Sequence, residues 1–299
     1  MIYIGTCSWT DKALIKNSLF YPDSADNAEA RIRFYASKFN TVEVDSTYYA
    51  IPDRKTSFLW AQRTPESFVF HIKAYGALTG HGINPKTLPR DLSDFLSSED
   101  KEKKYIYIKE PHILKAIAQK FTDSINPLQI GNKLGVVIFQ YPPWFHYSTS
   151  NIDFILTSKE LMKDIPVAVE FRHGSWLKTE RRDEIFSFLE GHNLIYIAAD
   201  EPQYGNLATV PFVAEATGNT AYFRFHGRNK ENWLKKGVET SLRYDYLYSD
   251  DELKGFLEPA LNLSKKAKKV YLMFNNCHGG YAFKNALKME EIIFKESSD

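Results

Sequence analysis

Two cysteines, Cys7 and Cys277, are too few in a chain of 299 residues for a disulfide scaffold to hold the fold. No stretch approaches the roughly 18 apolar residues of a membrane span. No basic segment leads into an apolar run at the N-terminus, where Ile2 follows Met1 directly. A reducing cytoplasm is therefore the expected compartment, with no membrane partner. Neither sign of charge is in excess: 38 Lys plus Arg stand against 37 Asp plus Glu, a net charge of +1. That weighs against the broad basic surface of a nonspecific nucleic-acid binder and leaves a local basic site open. No Gly-x-Gly-x-x-Gly turn follows the first apolar run, which removes the usual dinucleotide reading. No low-complexity tract or interdomain linker divides the chain, so residues 1–299 read as a single domain.

Apolar and aromatic residues are plentiful, with 43% hydrophobic content, 21 Phe and 18 Tyr, enough for a sizeable core. Short β-rich runs recur at Ile2–Thr6, Thr41–Asp45, Phe68–Lys73, Gly135–Gln140, Val167–Phe171, Leu194–Ala199, Ala221–His226 and Val270–Phe274. Most are followed by a helical pattern. Between the first two, Asp26 with Glu29 resembles a capping box, and Ala28, Ile32, Tyr35, Ala36 and Phe39 recur at helical spacing. Similar patterns fill 53–63, 151–163, 179–190, 250–267 and 282–295. Strands alternating with helices imply parallel pairing through helical crossovers. Eight such units point to an α/β fold, a closed or nearly closed (β/α)8 barrel of the TIM type, with a doubly wound open sheet as the alternative. Residues 76–132 form a long, insertion-like connection in which Pro111 should start a helix. A second long loop, 227–249, follows the seventh run and has the length of a functional lid.

Alternation along the strands sorts the side chains by face. Val42 and Val44 oppose Glu43 and Asp45; Phe70 and Ile72 oppose His71 and Lys73. Val169 and Phe171 oppose Glu170 and Arg172; Phe223 and Phe225 oppose Tyr222, Arg224 and His226. The fourth, sixth and eighth runs end at Gln140, Asp200 and Asn275. The apolar face should pack under helices and the polar face should point into the barrel. Polar character rises toward the C-terminal ends, where this fold builds its active sites. Unpaired buried charge costs several kcal/mol per group, so the concentration points to a ligand site. A bland alternative stands beside each residue. Glu170 and Arg172 could belong to a structural salt-bridge network, His71 could be a hydrogen-bonded core histidine, and Asp45 could cap the next turn. Cys7 and Cys277 read as two reduced thiols on neighbouring strand ends.

The loops after these strands carry recognisable wording. Gly5-Thr6-Cys7-Ser8-Trp9, Phe39 through Val44 with Ser46-Thr47-Tyr48-Tyr49, and Phe70 through Lys73 with Thr79-Gly80-His81 open the series. Phe139-Gln140-Tyr141-Pro142-Pro143, Val169-Glu170-Phe171-Arg172-His173 with Ser175-Trp176, and Tyr222 through Gly227 continue it. Tyr246-Leu247-Tyr248-Ser249 and Phe274-Asn275-Asn276 with Tyr281-Ala282 close it. In these blocks the chain resembles domain-of-unknown-function family 72, the YecE-like family. The resemblance implies a TIM-barrel-like fold and brings no established activity. Cys7-Ser8 stands where that family usually has Ser-Gly, residues 82–132 exceed its usual connection, and Cys277 intervenes between Asn276 and His278.

Three functions fit this inventory. The first is an enzyme, with hydrolysis of a phosphodiester or glycosidic bond as the matching reaction, acting on a small anionic, phosphate-bearing substrate. Lys73, Arg172, Arg224 and Arg228 would clamp the anion. Glu170 or Glu43 would serve as general base or acid and His226 as proton shuttle, with Lys73 among the catalytic groups. Asn275, Gln140, Tyr48, Asp200 and Trp176 would help to bind substrate. The second adds a divalent metal drawn from Glu43, Asp45, Glu170, Asp200, His173 and His226, although no ligand-spacing motif supports it; no cofactor is expected. The third is a non-catalytic protein that binds nucleic acid or another anion, tracked by Arg228, Lys230, Trp233, Lys235 and Lys236. Oligomeric state is left open.

Overall fold

Each apolar run becomes a strand in a computed structural model of the chain, which describes residues 1–11, 14–15 and 20–296. The strands are β1 (Ile2–Thr6), β2 (Thr41–Val44), β3 (Val69–Lys73), β4 (Leu134–Gln140), β5 (Val167–Glu170), β6 (Leu194–Asp200), β7 (Thr220–Phe225) and β8 (Lys269–Phe274). They form one eight-stranded sheet in the order β1-β8-β7-β6-β5-β4-β3-β2, parallel throughout. An α/β barrel, closed except for a seam between β1 and β2, is the result.

The long helices among the described residues are α1 (Ala28–Ala36), α2 (Arg54–Gln62), α3 (Pro111–Ile130), α4 (Thr149–Met162), α5 (Arg182–Gly191), α6 (Asp250–Ser264) and α7 (Tyr281–Glu296). Pro111 does open its helix, at the position where a missing N–H costs nothing. The cap of α1 differs from expectation. Asn27, not Asp26, accepts from the N–H groups of Glu29 and Ala30, at 3.0 and 2.9 Å. Asp26 instead accepts from the Asn27 side chain, and Glu29 pairs with Arg33 and Arg63. The capping box that does form lies at α6, between Ser249 and Glu252. After β6 the chain crosses through 201–219 without a helix.

Two buried layers follow from strand alternation. Val42, Val44, Ile72, Val169, Phe223 and Phe274 face outward into the layer under the helices. Inside the barrel, Tyr3, Val69, Val136, Ile195, Ile197, Tyr222, Tyr271 and Met273 fill the lower half. The interior floor is thus apolar and aromatic, and charge begins only above it. His71 belongs to this floor, edge-on to Tyr222 and Tyr271 with ring centroids 5.0 and 4.2 Å away. The β3–β4 register shifts between Phe70 and Ile72, and His71 Nδ1 takes the N–H of Val136 there at 3.3 Å. Gly135 makes room, since a Cβ at that position would sit 2.5 Å from the imidazole.

The long connection 76–132 is built from two 3-10 turns, Gly76–Thr79 and Pro85–Thr87, and short helices Arg90–Ser93 and Ser98–Glu102 before α3. An antiparallel bridge, Ile83 to Ile106, ties it together.

Candidate active site

Strand parity delivers Glu43, Lys73, Gln140, Glu170, Arg172, Arg224, His226 and Asn275 to the upper interior of the barrel. At its centre lies the Arg224 guanidinium, wholly buried. Nη1 donates to Gln140 Oε1 at 2.9 Å and to Glu170 Oε2; Nη2 donates to Glu43 Oε1. Asp45 Oδ1 lies 3.6 Å from Nη2, and Cys7 Sγ lies 3.8 Å away. Arg224 therefore has carboxylates on both prongs of its fork and is not free to clamp a ligand.

Glu170 is equally occupied. Its second oxygen accepts from Arg172 Nη1 at 2.9 Å and meets His226 Nε2 at 3.1 Å. Burial opposes ionisation of Glu170, but Arg224, His226 and Arg172 outweigh it and hold the carboxyl well below its usual range. His226 is driven by burial down to about 3, so the ring is neutral. Asn275 Nδ2 lies 2.9 Å from His226 Nδ1. With the amide donating there, the proton is assigned to Nε2, which donates to Glu170.

On the other side of Arg224, burial raises Glu43 to about 8 against the pull of that guanidinium, with the Asp45 charge adding to the rise. Asp45 goes the opposite way, lowered by Lys73 and Arg224 despite its burial, and its side chain keeps 24% exposure. The other Glu43 oxygen, Oε2, accepts from the Tyr222 hydroxyl at 3.2 Å. Neighbouring carboxyls oppose each other's ionisation, and here Asp45 takes the charge while Glu43 keeps the proton. Lys73 Nζ sits 3.5 Å from Asp45 Oδ1 and 5.1 Å above the Tyr48 ring. Burial alone would lower the Lys73 pKa; Asp45 overrides it, so the ammonium stays charged.

Above this network opens a cleft of about 570 Å³, lined at its base by Lys73, Gln140 and Arg172. Tyr48, Tyr49, Tyr105 and Tyr244 form its walls. The long connection supplies Ile83, Asn84 and Tyr105, and the loop 227–249 supplies Thr240, Arg243 and Tyr244. A smaller lobe of about 180 Å³ shares Arg172, Arg243 and Tyr244 and adds Trp233 and Leu234.

Several expected site residues lie elsewhere. Asp200 has the outward parity of β6 and binds Arg228 through both oxygens, at 2.8 to 3.1 Å, and the Tyr248 hydroxyl at 2.6 Å. Arg228 also meets Glu252 at 3.2 Å, so this pair anchors α6 rather than lining the cleft. Trp176 is buried in the outer layer, stacked on Phe171 at 4.4 Å, with its indole N–H on the Phe145 carbonyl. Trp233 of the basic loop is likewise buried, its ring 5.0 Å from the Arg172 guanidinium. Cys7 and Cys277 are both free, with Cys277 Sγ 4.0 Å from the Cys7 carbonyl. Among the described residues no three His, Cys, Asp or Glu side chains gather as a metal-ligand set.

Two site residues escaped the sequence reading. Glu201 binds Arg172 Nε at 3.1 Å and accepts the Val210 N–H at 2.8 Å. Burial lifts it to about 7, with Arg172 opposing. Carrying the inward parity of Ile195 and Ile197 past the end of β6 would have reached Glu201 instead of Asp200. Arg243 ends a four-residue helix, Thr240–Arg243, inside the 227–249 loop, too short for periodicity to mark which side chains face inward.

A family model described as "Protein of unknown function DUF72" matches residues 3–298. The chain belongs to the DUF72 family. One family relative, the UPF0759 protein YunF of Bacillus subtilis strain 168, is 34% identical over 302 residues, covering 100% of this chain and 96% of its own. A DUF72 protein from Thermotoga maritima MSB8 is 30% identical, with a TM-score of 0.78 over 98% of this chain and 99% of its own. Another, from Enterococcus faecalis V583, is 27% identical with a TM-score of 0.79 over 98% and 96%. The family shares the barrel from end to end, and its names assign no reaction.

Proposed function

We propose that this DUF72 protein is an enzyme that binds a small anionic, phosphate-bearing substrate in the mouth cleft and cleaves it by acid–base chemistry. One observation carries the reading. A cleft has Lys73 and Arg172 at its base, and 3.5 Å from the Lys73 ammonium stands Asp45, one of two neighbouring carboxyls whose pKa values are driven in opposite directions. Environments that push neighbouring titratable groups apart are how a site keeps an acid and a base at one pH. Here Asp45, ionised and partly exposed beside Lys73, takes a proton from the attacking water, and the pair, with its proton on Glu43, returns one to the leaving oxygen as the phosphorus–oxygen bond breaks. Water would take the place of the departing group at phosphorus. Glu170 positions Arg172 from beneath and is itself held by Arg224 and His226.

The test begins with a thermal-shift panel of phosphate esters, sugars, short oligonucleotides and divalent ions, followed by hydrolysis assays on whatever binds. Lys73→Met should abolish the shift. Asp45→Asn and Glu43→Gln should keep binding and slow turnover by roughly 10²- to 10⁴-fold, the usual contribution of a positioned acid. If no phosphate ester shifts the wild type, or if both carboxyl variants turn over normally, the reading fails. Binding without turnover, falling steeply with salt, would favour the oligonucleotide-binding alternative.

A further inference from the structure

The cations around the cleft are not equivalent. Lys73 has Asp45, Arg172 has Glu170 and Glu201, and Arg224 has Glu43 and Glu170. Arg243 has no carboxylate within ion-pair distance among the described residues. Its Nη2 donates to the Lys235 carbonyl at 3.1 Å, and its Nε is buried with no acceptor. Yet it lines both lobes of the cleft, as Arg172 does. The loop that carries it is fixed. Asn229 Nδ2 donates to the carbonyls of Leu242 and Asp245 at 3.1 and 2.9 Å, and Tyr244 stands edge-on to buried Trp233 at 5.6 Å. An unpaired guanidinium on a pinned loop, facing two cations whose own partners already neutralise them, is a preformed half-site for an anion.

The walls specify the rest of the ligand. A bare phosphate would leave most of 570 Å³ empty. Tyr49 and Tyr105 are 64% and 57% exposed at the rim, and Tyr49, Tyr48, His81 and Trp144 make edge-to-face contacts in sequence along one side. Aromatic faces left open above a cationic base suit a flat ring attached to the anion.

We infer that the substrate is a phosphate monoester carrying a flat ring, and that Arg243 holds its phosphoryl group against Arg172 while the ring lies between the tyrosines. This rests on the anion-binding cleft proposed above and adds the residue and the substrate class. Arg243 is thereby a binding residue, supplied by a loop rather than by a strand end.

Isothermal titration of the full chain with phenyl phosphate and with inorganic phosphate tests it, alongside circular dichroism melting. Phenyl phosphate should bind wild type more tightly than inorganic phosphate, and Tyr49→Ala should narrow that difference. Arg243→Gln should weaken phenyl phosphate by roughly tenfold or more, the scale of a lost charge-assisted pair, with the melting temperature unchanged. Arg243→Lys should recover part of the affinity, since it restores charge without the fork. Full affinity in Arg243→Gln together with loss in Lys73→Met would overturn this inference and leave the anion cleft standing. Equal affinity for the two probes would overturn the ring. Failure of both probes to bind wild type would remove the cleft reading and this one together.

Discussion

Arg224 and its two glutamates concentrate the electrostatics of this barrel in one fork. Taking a guanidinium and its carboxyl partners out of water is costly, and the cost is offset only because both Nη groups have acceptors. The two acceptors are not alike. Glu170 receives three positively polarised donors and stays ionised, whereas Glu43 shares its side of the fork with Asp45 and keeps a proton up to about 8. That asymmetry has a sign in stability. The unfolded Glu43 ionises near its ordinary value of 4.5, so between there and about 8 the folded protein binds a proton that the unfolded chain has released. Glu43 therefore contributes stability below the lower value and loses it as pH rises through the upper one. Urea denaturation of wild type and Glu43→Gln across pH 5 to 9 should show wild type losing stability relative to the variant as pH rises. His71 and His226, lowered to about 3, act oppositely below pH 6.5, and the comparison with the variant cancels them.

At the scale of elements, a buried lysine joins a helix to a strand. Lys133 precedes β4, and its ammonium donates to the carbonyls of Ala61 and Thr64, at 2.5 and 2.7 Å, and to Thr64 Oγ1 at 3.0 Å. These are orphan acceptors at and beyond the end of α2, where a positive charge also suits the helix dipole. Lys133→Met keeps the aliphatic stem and strands the carbonyls. It should cost about 1–3 kcal/mol of stability in equilibrium unfolding and leave phosphate-ester binding unchanged, because the mouth is at the other end of the strands. The anchor between Asp200, Arg228 and Glu252 is the matching device at the top. It fixes α6 under the loop that presents Arg243, which explains why two residues with the look of ligand binders serve architecture.

Closure of the whole molecule depends on the one strand pair that lacks a ladder. Gly5 lets β1 lie against β2, since a Cβ there would come within 2.3 Å of the Thr41 carbonyl. The Tyr35 hydroxyl, brought in by α1, then bridges the gap. It accepts from the Thr6 N–H at 2.9 Å and donates to the Thr41 carbonyl at 3.2 Å. A helix side chain thus replaces the missing rungs, and buried backbone groups at the seam find partners. Tyr35→Phe should lower stability by about 1–3 kcal/mol, and hydrogen exchange should rise first at the N–H of Thr6. Faster exchange spread evenly over all the strands, with none favoured, would show that the hydroxyl is not the closing contact.

The period-two alternation of eight apolar runs determined the barrel and the inward set Glu43, Lys73, Glu170, Arg172, Arg224, His226 and Asn275, because in a strand the face of a side chain is a local property. The same rule was stopped one residue short at β6, which put Asp200 in the site in place of Glu201. What sequence could not determine is who pairs with whom. Arg224 reads as a ligand clamp until Glu43 and Glu170 are seen on its fork, residues 181 and 54 positions away in the chain. Arg243 reads as one more loop cation until it proves to face the cleft without a carboxylate. Pairing and desolvation depend on through-space distance, and only the closed barrel brings these groups within a few ångströms of each other.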